Sequence, residues 1–237
     1  MGMPISIEIV SSGIGQKDFD EIFNFFVYVD EKFSTYKPTS ETSQINNGLI
    51  KEHQYSQDMK EVIKLSNETA RETNGFFTTV AKDASFDPLG LVKGWAIYKA
   101  SILLEKRGLN NFYIEAGGDI QTKGKNADQE KWSVGIRNPF NRDEVVKIVY
   151  LSGQGIATSG TYARGQHIIN PLEPNVPITE IVSLTVIGPN VYEADRFATA
   201  AFAMGKSGIE FIENLEGFEG YMIDSQGIAT YTNGFDI

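Results

Sequence analysis

Ile5, Ile7 and Ile9 alternate with polar neighbours, the period-2 pattern of a strand with one buried face. The pattern then changes period. Phe19, Ile22, Phe23, Phe26, Val29 and Phe33 recur at helical spacing, which predicts an amphipathic helix over 18–33. Residues 34–48 are rich in Ser, Thr, Pro and Asn and read as a loop with short turns. Ser56 is placed to cap a helix carrying Met59, Val62, Ile63 and Ala70. A third helical pattern covers 91–107 and stops at Gly108, a residue that readily takes the left-handed conformation of a helix end.

The second half reads mostly as strands, at 111–115, 131–136, 145–151, 181–187 and 220–224, with hairpin-like turns between several of them. One strong helix is expected at 192–204 and a shorter one at 207–214. No repeat, low-complexity tract or Pro/Gly/Ser linker divides the chain. The expectation is one α+β domain over residues 1–237, with helices early and an antiparallel sheet later.

Composition narrows the chemistry. The 237 residues contain no cysteine and two histidines, His53 and His167. Disulfides, thiolate zinc sites, iron–sulfur clusters and cysteine nucleophiles are excluded, and so is a three-histidine zinc centre. A metal here belongs among oxygens, which favours magnesium or calcium. The net charge of −10 repels phosphate backbones, so nucleic acid is not the expected partner. No run of about 18 apolar residues is present, so no membrane span is expected. The start Met1-Gly2-Met3-Pro4 has neither the basic nor the apolar region of a signal peptide, and a cytoplasmic location is the expectation.

Four segments could carry chemistry. In Ala194-Asp195-Arg196-Phe197-Ala198-Thr199, Asp195 and Thr199 stand at i and i+4 and share a helical face. A carboxylate and a hydroxyl so placed can share a hard cation; the same spacing also suits a surface Asp beside a Thr bonded to its own helix. In Phe86-Asp87-Pro88-Leu89-Gly90-Leu91-Val92-Lys93-Gly94-Trp95, a turn leads into a helix. The helix start can attract an anion and Lys93 adds a point charge, although an ordinary loop-to-helix start looks the same. The stretch 157–171 gathers several hydroxyls, Arg164 and His167. His167 is a candidate general base or a structural histidine, and Ser159 lacks the strained elbow of a hydrolase nucleophile. Glu115-Ala116-Gly117-Gly118-Asp119 follows a predicted strand; its paired glycines suit either a close backbone approach or a turn.

The joint order of these segments is more specific than any of them. Met1-Gly2-Met3, Ser34-Thr35-Tyr36-Lys37-Pro38, Ser40-Glu41 through Asn46, Asp87 to Gly94, Ala116-Gly117-Gly118-Asp119, Ala157-Thr158-Ser159-Gly160, His167-Ile168-Ile169-Asn170-Pro171 and Asp195 to Thr199 follow one another. Together they resemble the ApbE-type flavin transferases from about residue 1 to about residue 206. The resemblance implies an ApbE-like, T-fold-like architecture. It implies an FAD:protein FMN transferase that uses FAD and Mg2+ to move FMN onto a threonine hydroxyl of an acceptor protein, releasing AMP. Some relatives instead hydrolyse FAD to FMN and AMP, and a catalytically silent flavin binder is a further alternative. By similarity, Asp195 and Thr199 are metal ligands with the backbone carbonyl of Gly90. Met1, Tyr36, Asp87 and Lys93 lie along FAD and Ile168 lies near it. His167 is the candidate base, acting with Asp195.

The chain departs from the family pattern in places. Gly75-Phe76-Phe77-Thr78 lacks the Asp of the family's Gly-x-Phe-Asp motif, and only eight residues separate it from Asp87, which resembles a shortened subgroup. Asn170 stands in place of the usual Asp before Pro171, and Leu172-Glu173-Pro174-Asn175 replaces the usual threonine–glycine step.

Overall fold

A computed structural model of the chain describes residues 2–81, 83–141, 143–161 and 168–235. Strand β1 (Ile5–Ile9) leads into helix α1 (Gln16–Phe33), short helix α2 (Glu41–Asn46) and helix α3 (Gln57–Glu72). Helix α4 (Leu89–Lys106) precedes a run of strands: β2 (Phe112–Ala116), β3 (Asp119–Lys123), β4 (Trp132–Arg137), β5 (Val145–Leu151), β6 (Gly155–Gly160) and β7 (Ile181–Gly188). Helices α5 (Val191–Ala203) and α6 (Gly208–Glu213) and strands β8 (Glu219–Asp224) and β9 (Ala229–Tyr231) complete the order.

Seven strands form one antiparallel sheet in the order β1-β2-β3-β6-β7-β8-β9, and β4 and β5 form a separate two-stranded hairpin. Side chains alternate between the two faces of the sheet, and that alternation divides the core. Phe112 and Ile114 of β2 meet Leu91, Trp95 and Phe33 from the helices. Ala157 of β6 and Leu184 and Val186 of β7 meet Phe197 and Phe202 of α5. The opposite face carries Ile120, Ile156 and Ile187, which are covered by Val134, Ile136, Val149 and Leu151 of the β4–β5 hairpin. Helices thus cover one side of the sheet and the hairpin part of the other, which accounts for the near-continuous burial of β7.

The α+β expectation and the main elements agree with the structure within one or two residues. Ser56 does cap α3, its Oγ accepting the Met59 N–H at 3.2 Å. Three readings change. The stretch 34–48 is not wholly loop: Ser40 Oγ accepts the Ser43 N–H at 3.0 Å and starts α2. Strands β3, β6 and β9 carried too little periodic signal to be seen. β3 buries Gln121 and Thr122, β6 is built from small residues, and β9 has three residues. The sheet is also not confined to the second half, because β1 pairs with β2 in the register Ile5↔Ala116 to Ile9↔Phe112. Among the described residues, no helix is long and apolar enough to cross a membrane.

Candidate functional site

Two helices distant in sequence bring the chemistry together. Helix α4 is buried on most of its surface, including Leu91, Val92, Gly94, Trp95 and Ala96, and it lies against α5. The approach is close at Gly94. A Cβ there would stand 2.7 Å from Asp195 Cβ and 2.9 Å from the Val191 carbonyl, so only glycine fits. The closeness has a polar consequence: the Gly94 N–H donates to Asp195 Oδ2 at 2.8 Å, inside the protein.

Asp195 and Thr199 share one face of α5 as their spacing implies, and Gly90 of α4 stands beside that face. A Cβ on Gly90 would lie 4.0 Å from the Thr199 methyl. Thr199 Oγ1 is 3.4 Å from Ser159 Oγ on β6. Gly90, Asp195 and Thr199, three residues expected at one metal site, therefore converge.

Lys93 takes an unexpected position. Its ammonium is 2.5 Å from Asp119 Oδ2 and 3.5 Å from Asp195 Oδ1. Both carboxylates are buried, Asp119 at 1% and Asp195 at 4% exposure. Burial drives the Asp195 pKa upward; Lys93 opposes this and the neighbouring Asp119 charge adds to it, leaving the carboxyl raised. Two buried carboxylates thus share one ammonium. The nearby Asp195 carboxylate and the Thr199 and Ser159 hydroxyls are hard oxygens of the kind magnesium takes. No cluster of three or more His, Cys, Asp or Glu side chains able to hold a metal occurs among the described residues.

These groups line a cavity of about 1000 Å³, ample for a dinucleotide-sized ligand. Asp87, Ile168 and Tyr36 line it too, Tyr36 being 88% exposed. Asp87 shapes the entry to α4: its Oδ1 accepts the Leu89 N–H at 3.0 Å, and its own N–H donates to the Thr79 carbonyl at 2.7 Å. One of the amides at this helix start is thus already engaged. His167 and Met1, expected as base and as FAD contact, lie outside the described residues.

Sequence reasoning passed over two contributors. Asp119 stood in a quoted motif without a role; the signal was the preceding Gly117-Gly118, whose φ values of 61° and 95° form the tight β2–β3 turn and set Asp119 at the buried start of β3. The second is β4, whose residues 133–137 form part of the cavity wall. Its alternation reports burial, not which ligand space it borders.

Comparison with known proteins follows the same lines. The ApbE family model matches residues 1–85 and 78–222. The chain is similar to the FAD:protein FMN transferase of Klebsiella pneumoniae (strain 342), 30% identical over 175 residues, or 70% of this chain and 49% of that protein. Against the enzyme of the same name from Salmonella typhimurium it is 31% identical over 144 residues, 57% of this chain and 41% of that one. The chain thus spans about half the length of the curated relatives it matches. Its fold is that of the flavin transferase ApbE from Vibrio cholerae, with TM-score 0.86 and 22% identity over 99% of this chain and 95% of that chain. The ApbE protein from Thermotoga maritima superposes with TM-score 0.87 at 21% identity, over the same shares of the two chains.

Proposed function

The chain belongs to the ApbE family, and we propose that it is a magnesium-dependent FAD:protein FMN transferase, one domain over 1–237, that flavinylates a threonine of an acceptor protein. The observation that carries this reading is the convergence of Gly90, Asp195 and Thr199 on one wall of the cavity. The names of the curated relatives support the same reading.

In this reading Asp195, the Thr199 hydroxyl and the Gly90 carbonyl hold the cation. Bound there, magnesium supplies neutralisation of the pyrophosphate charge. Tyr36, Asp87, Lys93, Ile168 and Met1 bind along FAD and hold it in line for attack. The acceptor threonine oxygen forms a bond to the FMN-side phosphorus, while the bond from that phosphorus to the bridging oxygen breaks and its electron pair leaves with AMP. His167, acting with Asp195, takes the hydroxyl proton. Such a displacement depends on charge neutralisation and positioning and needs no protein nucleophile.

The test is incubation with FAD, Mg2+ and a candidate flavoprotein, followed by in-gel flavin fluorescence. Labelled acceptor with release of AMP is the expected result. Release of FMN without labelling would make the protein an FAD pyrophosphatase, and bound but unreacted FAD would make it a flavin carrier.

A further inference from the structure

We propose that Asp119 is a positioning residue of this site, one that takes up the Lys93 ammonium and so leaves Asp195 open to a divalent cation. The inference rests on the reading of Asp195 as a cation ligand.

Asp119 is held from two sides. The Gly117-Gly118 turn delivers it to the first position of β3, and its Oδ1 accepts the Thr158 N–H of β6 at 3.1 Å. Thr158 adjoins Ser159, which reaches Thr199. Asp119 is therefore built into the strand pair that backs Thr199, and its second oxygen points at Lys93 of α4. There the Lys93 ammonium lies 1.0 Å nearer to Asp119 than to Asp195, at 2.5 Å against 3.5 Å.

That preference has an electrostatic consequence. In a buried site, an ammonium and a carboxylate that have only each other close to contact, because an unpaired charge there is costly. If Lys93 closed on Asp195, it would neutralise the carboxylate and stand where a cation must approach. Asp119 supplies the competing partner. Asp195 then keeps one oxygen on the Gly94 N–H and presents the other at a distance from Lys93.

The experiment measures Mn2+ binding to the full chain without FAD, by calorimetry, for the unaltered protein, Asp119→Asn, Lys93→Gln and the double variant. Asp119→Asn should weaken binding roughly 10–100-fold. In the Lys93→Gln background the same change should cost less than roughly threefold, because there is no ammonium left to divert. An equal loss in both backgrounds would be simple loss of charge and would overturn the proposal. Absence of Mn2+ binding to the unaltered protein would overturn the cation reading of Asp195 and this inference with it. A metal-free crystal structure of Asp119→Asn gives a readout independent of the ion: Lys93 should close to about 3 Å from Asp195, and an unmoved Lys93 overturns the proposal. Should Asp119→Asn fail to fold, recovery of folding in the double variant supports the coupling, and equal instability of both overturns it.

Discussion

The amide of Gly94 donates a hydrogen bond to the carboxylate of Asp195 across 101 positions of sequence, at 2.8 Å and out of contact with water. This bond joins the two helices that carry the site. It orients one Asp195 oxygen and leaves the other facing Lys93 and the cavity. It is possible only because position 94 has no side chain.

Gly94→Ala should therefore damage both fold and site. Alanine gains about 1 kcal/mol of helix propensity, but its Cβ meets the backbone of α5, which cannot swing aside as a flexible side chain would. A net loss of about 1–3 kcal/mol is expected, read as a lower urea midpoint with unchanged m-value. A midpoint at or above that of the unaltered protein would show that the helices separate freely.

Asp195→Ala removes the only carboxylate that shares a helical face with Thr199. Under the proposed function, turnover of FAD should disappear together with any dependence on magnesium, while the overall fold persists by circular dichroism. Retained turnover with the same magnesium requirement would assign the cation to other groups.

His167→Ala tests the proposed base. A general base contributes roughly 10²–10⁴ in rate, so single-turnover transfer to the acceptor should slow by that factor with little change in FAD affinity. A loss below tenfold would make His167 a structural residue.

Glu41 links three helices away from the cavity. It accepts from the Ser56 N–H and hydroxyl at 2.6 Å each and pairs with Lys32 at 3.1 Å. Burial raises its pKa, but those bonds outweigh burial and hold it below the ordinary glutamate range. A carboxyl with a depressed folded pKa contributes stability above its unfolded pKa and loses it as pH falls through the folded value. Glu41→Gln should cost about 1–3 kcal/mol at pH 7, and the gap to the unaltered protein should narrow below about pH 4. Urea titrations at the two pH values check this; a gap independent of pH would assign the loss to packing.

The chain's own pattern determined its long elements. The Phe19 to Phe33 spacing, the Ser56 cap and the alternation of β1 and β4 are local, and each depends on the period with which a side chain meets one face. The order of short motifs was also enough for the family, and the Asp195–Thr199 spacing for two oxygen-bearing side chains on one face of α5. Other features were decided only in three dimensions. Strands β3 and β6 hold polar and small residues that become strands because their neighbours supply hydrogen bonds and cover. The role of Asp119 depends on where a hairpin turn points a carboxylate relative to a lysine 26 positions earlier in sequence, and no periodicity encodes that distance. A sequence displays which side may be buried; which charge faces which, and at what separation, is a property of packed helices and strands, and there the electrostatics of this site arise.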